Sequence, residues 1–143
     1  MNSSFHLTEG SWQEFKQSLT AIRCQVFVVE QQVPEALELD AHDPQCHHVL
    51  VTDAKGRPVG AGRIKPDGHI GRMAVLKDCR GQGVGAAMLA ALLAYAGEQG
   101  HTRVFLHAQI GAVPFYARFG FVESGEPFMD AGILHRYMVK SLQ

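Results

Sequence analysis

Residues 80 to 86 read Arg-Gly-Gln-Gly-Val-Gly-Ala. Glycine at alternate positions lets successive backbone N–H groups converge on a ligand with no Cβ in the way. A helix beginning there adds the positive end of its dipole. With an arginine at its head, this spacing suits the binding of an anion. The string Gly81-x-Gly83-x-x-Ala86 also fits a dinucleotide fingerprint, but that motif wants an acidic residue ~20 positions later. The stretch His101 to Leu106 contains none. No Gly-Lys-Ser/Thr follows, which excludes a P-loop. Cys79 sits beside the loop without the neighbouring base that a nucleophile needs. His42, Asp43, His47 and His48 match no tetrahedral zinc spacing, and adjacent histidines on a strand point to opposite faces, so no metal is expected.

The 143 residues carry 13 Lys+Arg against 14 Asp+Glu, a formal charge of -1. Without a basic excess, neither nucleic acid nor a membrane surface is an expected partner. Apolar residues make up 46% of the chain. A chain of this length buries about 68–70% of its unfolded surface, so one ordered domain over 1–143 is expected. Cys24, Cys46 and Cys79 are odd in number and form no CxxC pair, which gives neither a disulfide framework nor a zinc ribbon. The longest apolar run, Val84 to Ala96, falls short of the ~20 residues that cross a bilayer. The start, MNSSFHLTEG, has no signal-peptide pattern, and a cytoplasmic location is expected.

Resolved along the chain, the charge is segregated. Cys24 to Ala54 holds six acids (Glu30, Glu35, Glu38, Asp40, Asp43 and Asp53) and no Lys or Arg. Lys55 to Arg80 holds seven bases against two acids, a local +5. Either these are solvated loops and strand edges, or the protein offers an acidic face to a cationic ligand and a basic face to an anionic one.

The elements that position these residues follow from periodicity. Ser11 and Glu14 have the form of a capping box, and Trp12, Phe15, Leu19, Ile22 and Val26 recur at helical spacing, predicting a helix from about Trp12 to Phe27. His48 to Thr52, Val59 to Lys65 and His69 to Val75 read as an antiparallel meander with turns at Asp53–Arg57 and Pro66–Gly68. A loop from Leu76 to Gln82 precedes a helix from about Gly83 to Gln99, closed by Gly100. Val104 to His107 reads as a buried strand and Ala112 to Phe119 as a helix stopped by Gly120. Phe121–Glu123 and Leu134–Lys140 are terminal strands. This order gives a mixed α+β fold.

Arg80-x-x-Gly83-x-Gly85 after a strand ending Met73-Ala74-Val75 resembles the acetyl-CoA signature of the GNAT superfamily of N-acetyltransferases. Phe115-Tyr116-Ala117-Arg118-Phe119-Gly120-Phe121 resembles its second signature at the expected distance downstream. Arg23, Val26-Phe27, Glu30-Gln31, Val33-Pro34 and the ending Phe128-Met129-Asp130 to His135 extend the match over nearly the whole chain, toward the small bacterial ElaA-like branch. The resemblance implies a central, mostly antiparallel, splayed sheet flanked by helices, with acetyl-CoA as co-substrate. Gln82, Gly83, Val84, Gly85 and Ala86 then bind the pyrophosphate through their amides, helped by Arg80 and Gly81. The edge of Met73, Ala74 and Val75 pairs with the pantetheine arm, and a free N–H there polarises the thioester carbonyl.

By the same resemblance Tyr116 holds the position that protonates the departing thiolate; a phenol is a feasible donor to a thiolate. His135 resembles the catalytic histidine of the glyphosate-acetylating relatives, and an imidazole takes up protons near neutrality. The base is His135, or Glu30 directly or through water, or no single residue. Arg72 and Gln109 fall where the acceptor binds. That related pattern has a further arginine where this chain reads His107-Ala108-Gln109, which speaks against a doubly anionic acceptor, while the acidic block suggests a cationic one. The expected function is transfer of an acetyl group from acetyl-CoA to a small-molecule or peptide primary amine by direct attack in a ternary complex. The rivals are a non-catalytic acyl-CoA-binding module and a dinucleotide-dependent oxidoreductase. The fold is compatible with homodimerisation.

Overall fold

The computed structural model describes residues 4–38 and 40–143. It opens with a strand that has no counterpart in the expectations above, β1 (His6–Gly10), too short and too evenly half-exposed to show an alternating pattern. Helix α1 (Trp12–Arg23) follows with its capping box closed. The Ser11 hydroxyl accepts from the Glu14 N–H at 3.3 Å, and the Glu14 carboxylate accepts from the Ser11 N–H at 3.1 Å. Ser11→Ala should cost about 1 kcal/mol in urea denaturation. Where the spacing predicts α-helix to Phe27, the chain instead widens after Arg23 into a π-helical stretch, Cys24–Glu30, closed by the Gln31 N–H donating to the Val26 carbonyl at 3.0 Å. Such widening turns one face of a helix outward and is frequent at functional sites.

A short helix α2 (Glu35–Glu38) leads to β2 (His47–Thr52), β3 (Pro58–Ile64) and β4 (His69–Val75), the meander that the turns predict. Then come α3 (Val84–Glu98), β5 (Arg103–Gln109), α4 (Val113–Ala117), β6 (Val122–Asp130) and β7 (Ile133–Ser141). Strand β6 runs well beyond the Phe121–Glu123 expected for it, while β7 exceeds the expected Leu134–Lys140 by one residue at each end. They form a hairpin around Ala131 and Gly132, both in left-handed backbone. The sheet order is β1-β2-β3-β4-β5-β7-β6, antiparallel throughout except for the β4–β5 contact.

Helices α1 and α3 cover opposite faces of β3. Leu19, Ile22 and Val26 pack on Leu50, Ala61 and Ala74 on one side. Val84, Met88, Leu89 and Leu92 pack on Val49, Val51, Val59 and Ile70 on the other. Neighbours on one strand, such as Val49 and Leu50, thus belong to different cores, as a period of two requires. Gly60 lets α3 come close, because a Cβ there would sit 2.9 Å from Val84 and 3.1 Å from the Met88 sulfur.

Two irregularities of β4 shape everything downstream. Arg63 pairs with Gly71 and Ala61 with Ala74, so β4 carries one residue more than β3 between those pairs. This bulge holds Arg72 at φ 50°. On its other side β4 pairs with β5 only at His69–Phe105 and Ile70–Leu106, and beyond Ile70 the two strands separate.

Candidate active site

The separation of β4 from β5 opens a cleft that frees one edge of β4 from Gly71 to Val75. At the end of that edge lies the glycine loop. Gly81 and Gly83 adopt φ of 77° and 83°, backbone that side chains other than glycine resist, and Gly83 caps the 15-residue α3. Alternate glycines and the start of a long helix therefore coincide, at the end of a strand edge that β5 does not pair. Arg80 heads the loop and donates from Nε to the Val75 carbonyl at 2.9 Å. Its two terminal nitrogens grip the Glu30 carboxylate at 2.6 and 2.7 Å.

Glu30 is thus placed against the glycine loop, at the end of the π-helical stretch. The hydrogen bonds from Arg80 hold its carboxyl below the usual value, which makes it a weaker base. The other candidates converge elsewhere. Tyr116, His135, Arg72, Gln109 and Met73 line one cavity of about 510 Å³ in the mouth between β4 and β5.

Tyr116 reaches this cavity because α4 is anchored on the loop helix: the Phe115 ring would stand 3.5 Å from a Cβ on Gly85. Phe115 and Phe121 meet the Tyr116 ring edge-on at 5.1 and 5.9 Å. Burial alone pushes the Tyr116 phenol up to about 12, so it stays protonated throughout the neutral range. His135, at the start of β7, lies opposite Gln109 of β5 and Phe128 of β6. Its Nδ1 is 2.7 Å from the Ile133 carbonyl, which can only accept. In the neutral ring the proton therefore sits on Nδ1 and the lone pair on Nε2. Gln109 exchanges hydrogen bonds with Gln31 at 2.9 and 3.3 Å, tying the two lips of the cleft together.

The charge blocks turn out to face each other. Arg23, almost wholly buried, donates to Glu38 and, at 2.8 and 3.1 Å, to Asp43. Arg63 donates to Asp43 at 2.8 Å and to Asp40 at 2.7 and 2.9 Å. Arg72 donates to Asp40 at 3.1 Å and to the Glu38 and Leu37 carbonyls. Three guanidiniums thus meet three carboxylates. The acidic face expected toward a cationic amine is corrected accordingly: Glu38, Asp40 and Asp43 hold the α2 segment onto β3 and the β4 bulge, and Glu30 holds Arg80. Burial raises the Asp40 and Asp43 carboxyls, and the arginines outweigh it, leaving both below the ordinary value. His48 spends a ring nitrogen on the Asp43 carbonyl, while His47, on the opposite face, stacks on Tyr95.

Known proteins match this arrangement as a whole. The family model for the acetyltransferase (GNAT) domain matches residues 13–142. The chain belongs to the GNAT acetyltransferase family. The uncharacterized N-acetyltransferase YjcF of Bacillus subtilis strain 168 is 42% identical over 123 residues, covering 83% of this chain and 87% of the relative. An acyl-CoA N-acyltransferase from Pseudomonas aeruginosa superposes with a TM-score of 0.86 at 28% identity, over 96% of this chain and all of that one. ElaA of Escherichia coli superposes at 0.85 and 27% identity, over 95% of this chain and 99% of its own. This GNAT protein is accordingly an acyltransferase of the N-acetyltransferase class, drawing on an acyl-CoA and an amine acceptor. No helix among the described residues is long and apolar enough to cross a membrane.

Sequence reasoning missed two lining residues of this GNAT site, His69 and His107. Their signal was the period of two in β4 and β5: Ile70 goes to the α3 core, which sends His69 to the other face. Val104, Leu106 and Ala108 go to the α3 core, which sends Phe105, His107 and Gln109 to the other face.

Proposed function

We propose that the protein moves the acetyl group of acetyl-CoA to a primary amine by direct attack within a ternary complex. The observation that carries this reading is the single cleft between β4 and β5. The edge of β4 left unpaired by β5 lies between the cavity lined by Tyr116 and His135 and the glycine loop that follows the strand, so a thioester laid along that edge would end between an acid and a base. The amides of Gln82 to Ala86 hold the pyrophosphate at the start of α3, with Gly81 giving the turn and Arg80 adding charge. Met73, Ala74 and Val75 offer their edge to the pantetheine, and an N–H of this edge polarises the thioester carbonyl.

The neutral amine attacks the carbonyl carbon, forming the C–N bond as the C–S bond breaks. His135 Nε2 takes the amine proton, and Tyr116 gives its proton to the departing thiolate. The role of base falls to His135 because Glu30 is committed to Arg80. Transfer through Cys79 is disfavoured: burial and the neighbouring Asp78 push its thiol up, away from the thiolate a nucleophile needs.

Thiol release from acetyl-CoA over a panel of amines tests the reading. Initial rates should give an intersecting pattern, and His135→Ala should lower kcat/KM by about 100-fold. A parallel pattern, or full activity in His135→Ala, would remove direct attack or that base respectively.

A further inference from the structure

The cavity has a wall that the proposed acetyl transfer leaves unused. His69 and His107 line it with ring centroids 4.6 Å apart. His69 is stacked on Phe105 at 4.8 Å, and His107 and Phe128 meet edge-to-face at 5.2 Å and 84°. Phe128 in turn stacks on His135, the proposed base, at 5.8 Å. All these rings stand on the face of the sheet opposite the α3 core. His107 is exposed, and its ring packs against His69, Phe128 and Tyr137. Burial lowers His69 to about 4 and moves His107 in the same direction, so both rings are uncharged at neutral pH. The wall is a preset array of uncharged rings, inclined to one another, that leads to His135.

The opposite wall selects by charge. Arg72 and Arg63 are the guanidiniums that line the cavity, and both are already bound to Asp40. A carboxylate or phosphate directed at either guanidinium would have to displace Asp40 from a pairing that also closes the α2 segment. Resting on the acetyl-transfer reading, we propose that the acceptor is an arylalkylamine without an acidic group. Its ring lies on His107 between His69 and Phe128, and its amine points to His135. A planar ring gains offset or edge contacts on such a surface that an alkyl chain of equal length does not.

The test compares thiol release from acetyl-CoA with 2-phenylethylamine, n-hexylamine and phenylalanine. It is joined to calorimetric titration of 2-phenylethylamine into the protein without acetyl-CoA. The expected result is a kcat/KM for 2-phenylethylamine about 10-fold or more above that of either other amine. His107→Ala should collapse the aryl-to-alkyl ratio toward one through KM, and His107→Phe, which keeps a ring, should preserve it. Equal turnover of the aryl and alkyl amines, preference for phenylalanine, or a ratio indifferent to His107→Ala would overturn the proposal. Calorimetry separates the two readings. Binding that His107→Ala weakens, with no thiol released by any amine, retains the ring wall and overturns the transfer reading. Transfer to n-hexylamine with no detectable binding of 2-phenylethylamine does the reverse.

Discussion

Tyr116→Phe should lower kcat by about 1,000-fold while leaving the affinity for acetyl-CoA nearly unchanged. The phenylalanine keeps the edge-on packing against Phe115 and Phe121 and removes only the hydroxyl. The thiolate must then leave without a proton. With its phenol pushed up to about 12, Tyr116 remains a donor at every pH at which the protein is ordinarily assayed, and loss of this acid should not appear as a basic limb below pH 10. Full turnover in the variant would take Tyr116 out of the chemistry.

Asp43→Ala should produce the largest loss of stability. Asp43 is 2% exposed and accepts hydrogen bonds from both Arg23 and Arg63, themselves 2% and 3% exposed. Removing it leaves two buried guanidiniums short of a counter-charge, a change that costs about 3–5 kcal/mol. For a chain of this length that corresponds to a fall in Tm of about 10 °C or more, readable by calorimetry. A drop of only a degree or two would show that solvent reaches the network. The same carboxylates set the acid limit. Asp40 and Asp43 are held below their unfolded values, so their contribution is fully present above an ordinary carboxylate pKa of ~3.9 and disappears as pH falls through the lower folded values. Acid unfolding should therefore begin below about pH 4 in the wild type, and Asp43→Ala should flatten that dependence.

Much of the scaffold was readable because it is written in local signals. The Ser11–Glu14 box, the turns at Asp53–Arg57 and Pro66–Gly68, and Gly100 after α3 each fix one boundary through short-range hydrogen bonding or backbone freedom. The glycine loop was legible for the same reason. What escaped depended on distant partners. Strand β1 exists because β2 offers an edge along His6 to Gly10. The π-helical stretch after Arg23 has no composition of its own. The fate of the acidic block could not be read from charge counts, since only the fold sets Asp40 and Asp43 against Arg63 and Arg72. For the site, two sequence signatures pointed to Tyr116 and the loop, whereas His69 and His107 emerge only when β4 and β5 are seen to present alternate residues to the cleft.

The account turns on transfer without an acetylated enzyme, and rapid mixing of enzyme at high concentration with acetyl-CoA in the absence of amine tests it most directly. The cleft as described predicts no burst of free thiol until amine is added, after which thiol and N-acetylated product should appear together in equal amounts. A burst approaching one thiol per enzyme before any amine is present would contradict it, and would place a covalent intermediate on a residue of this chain.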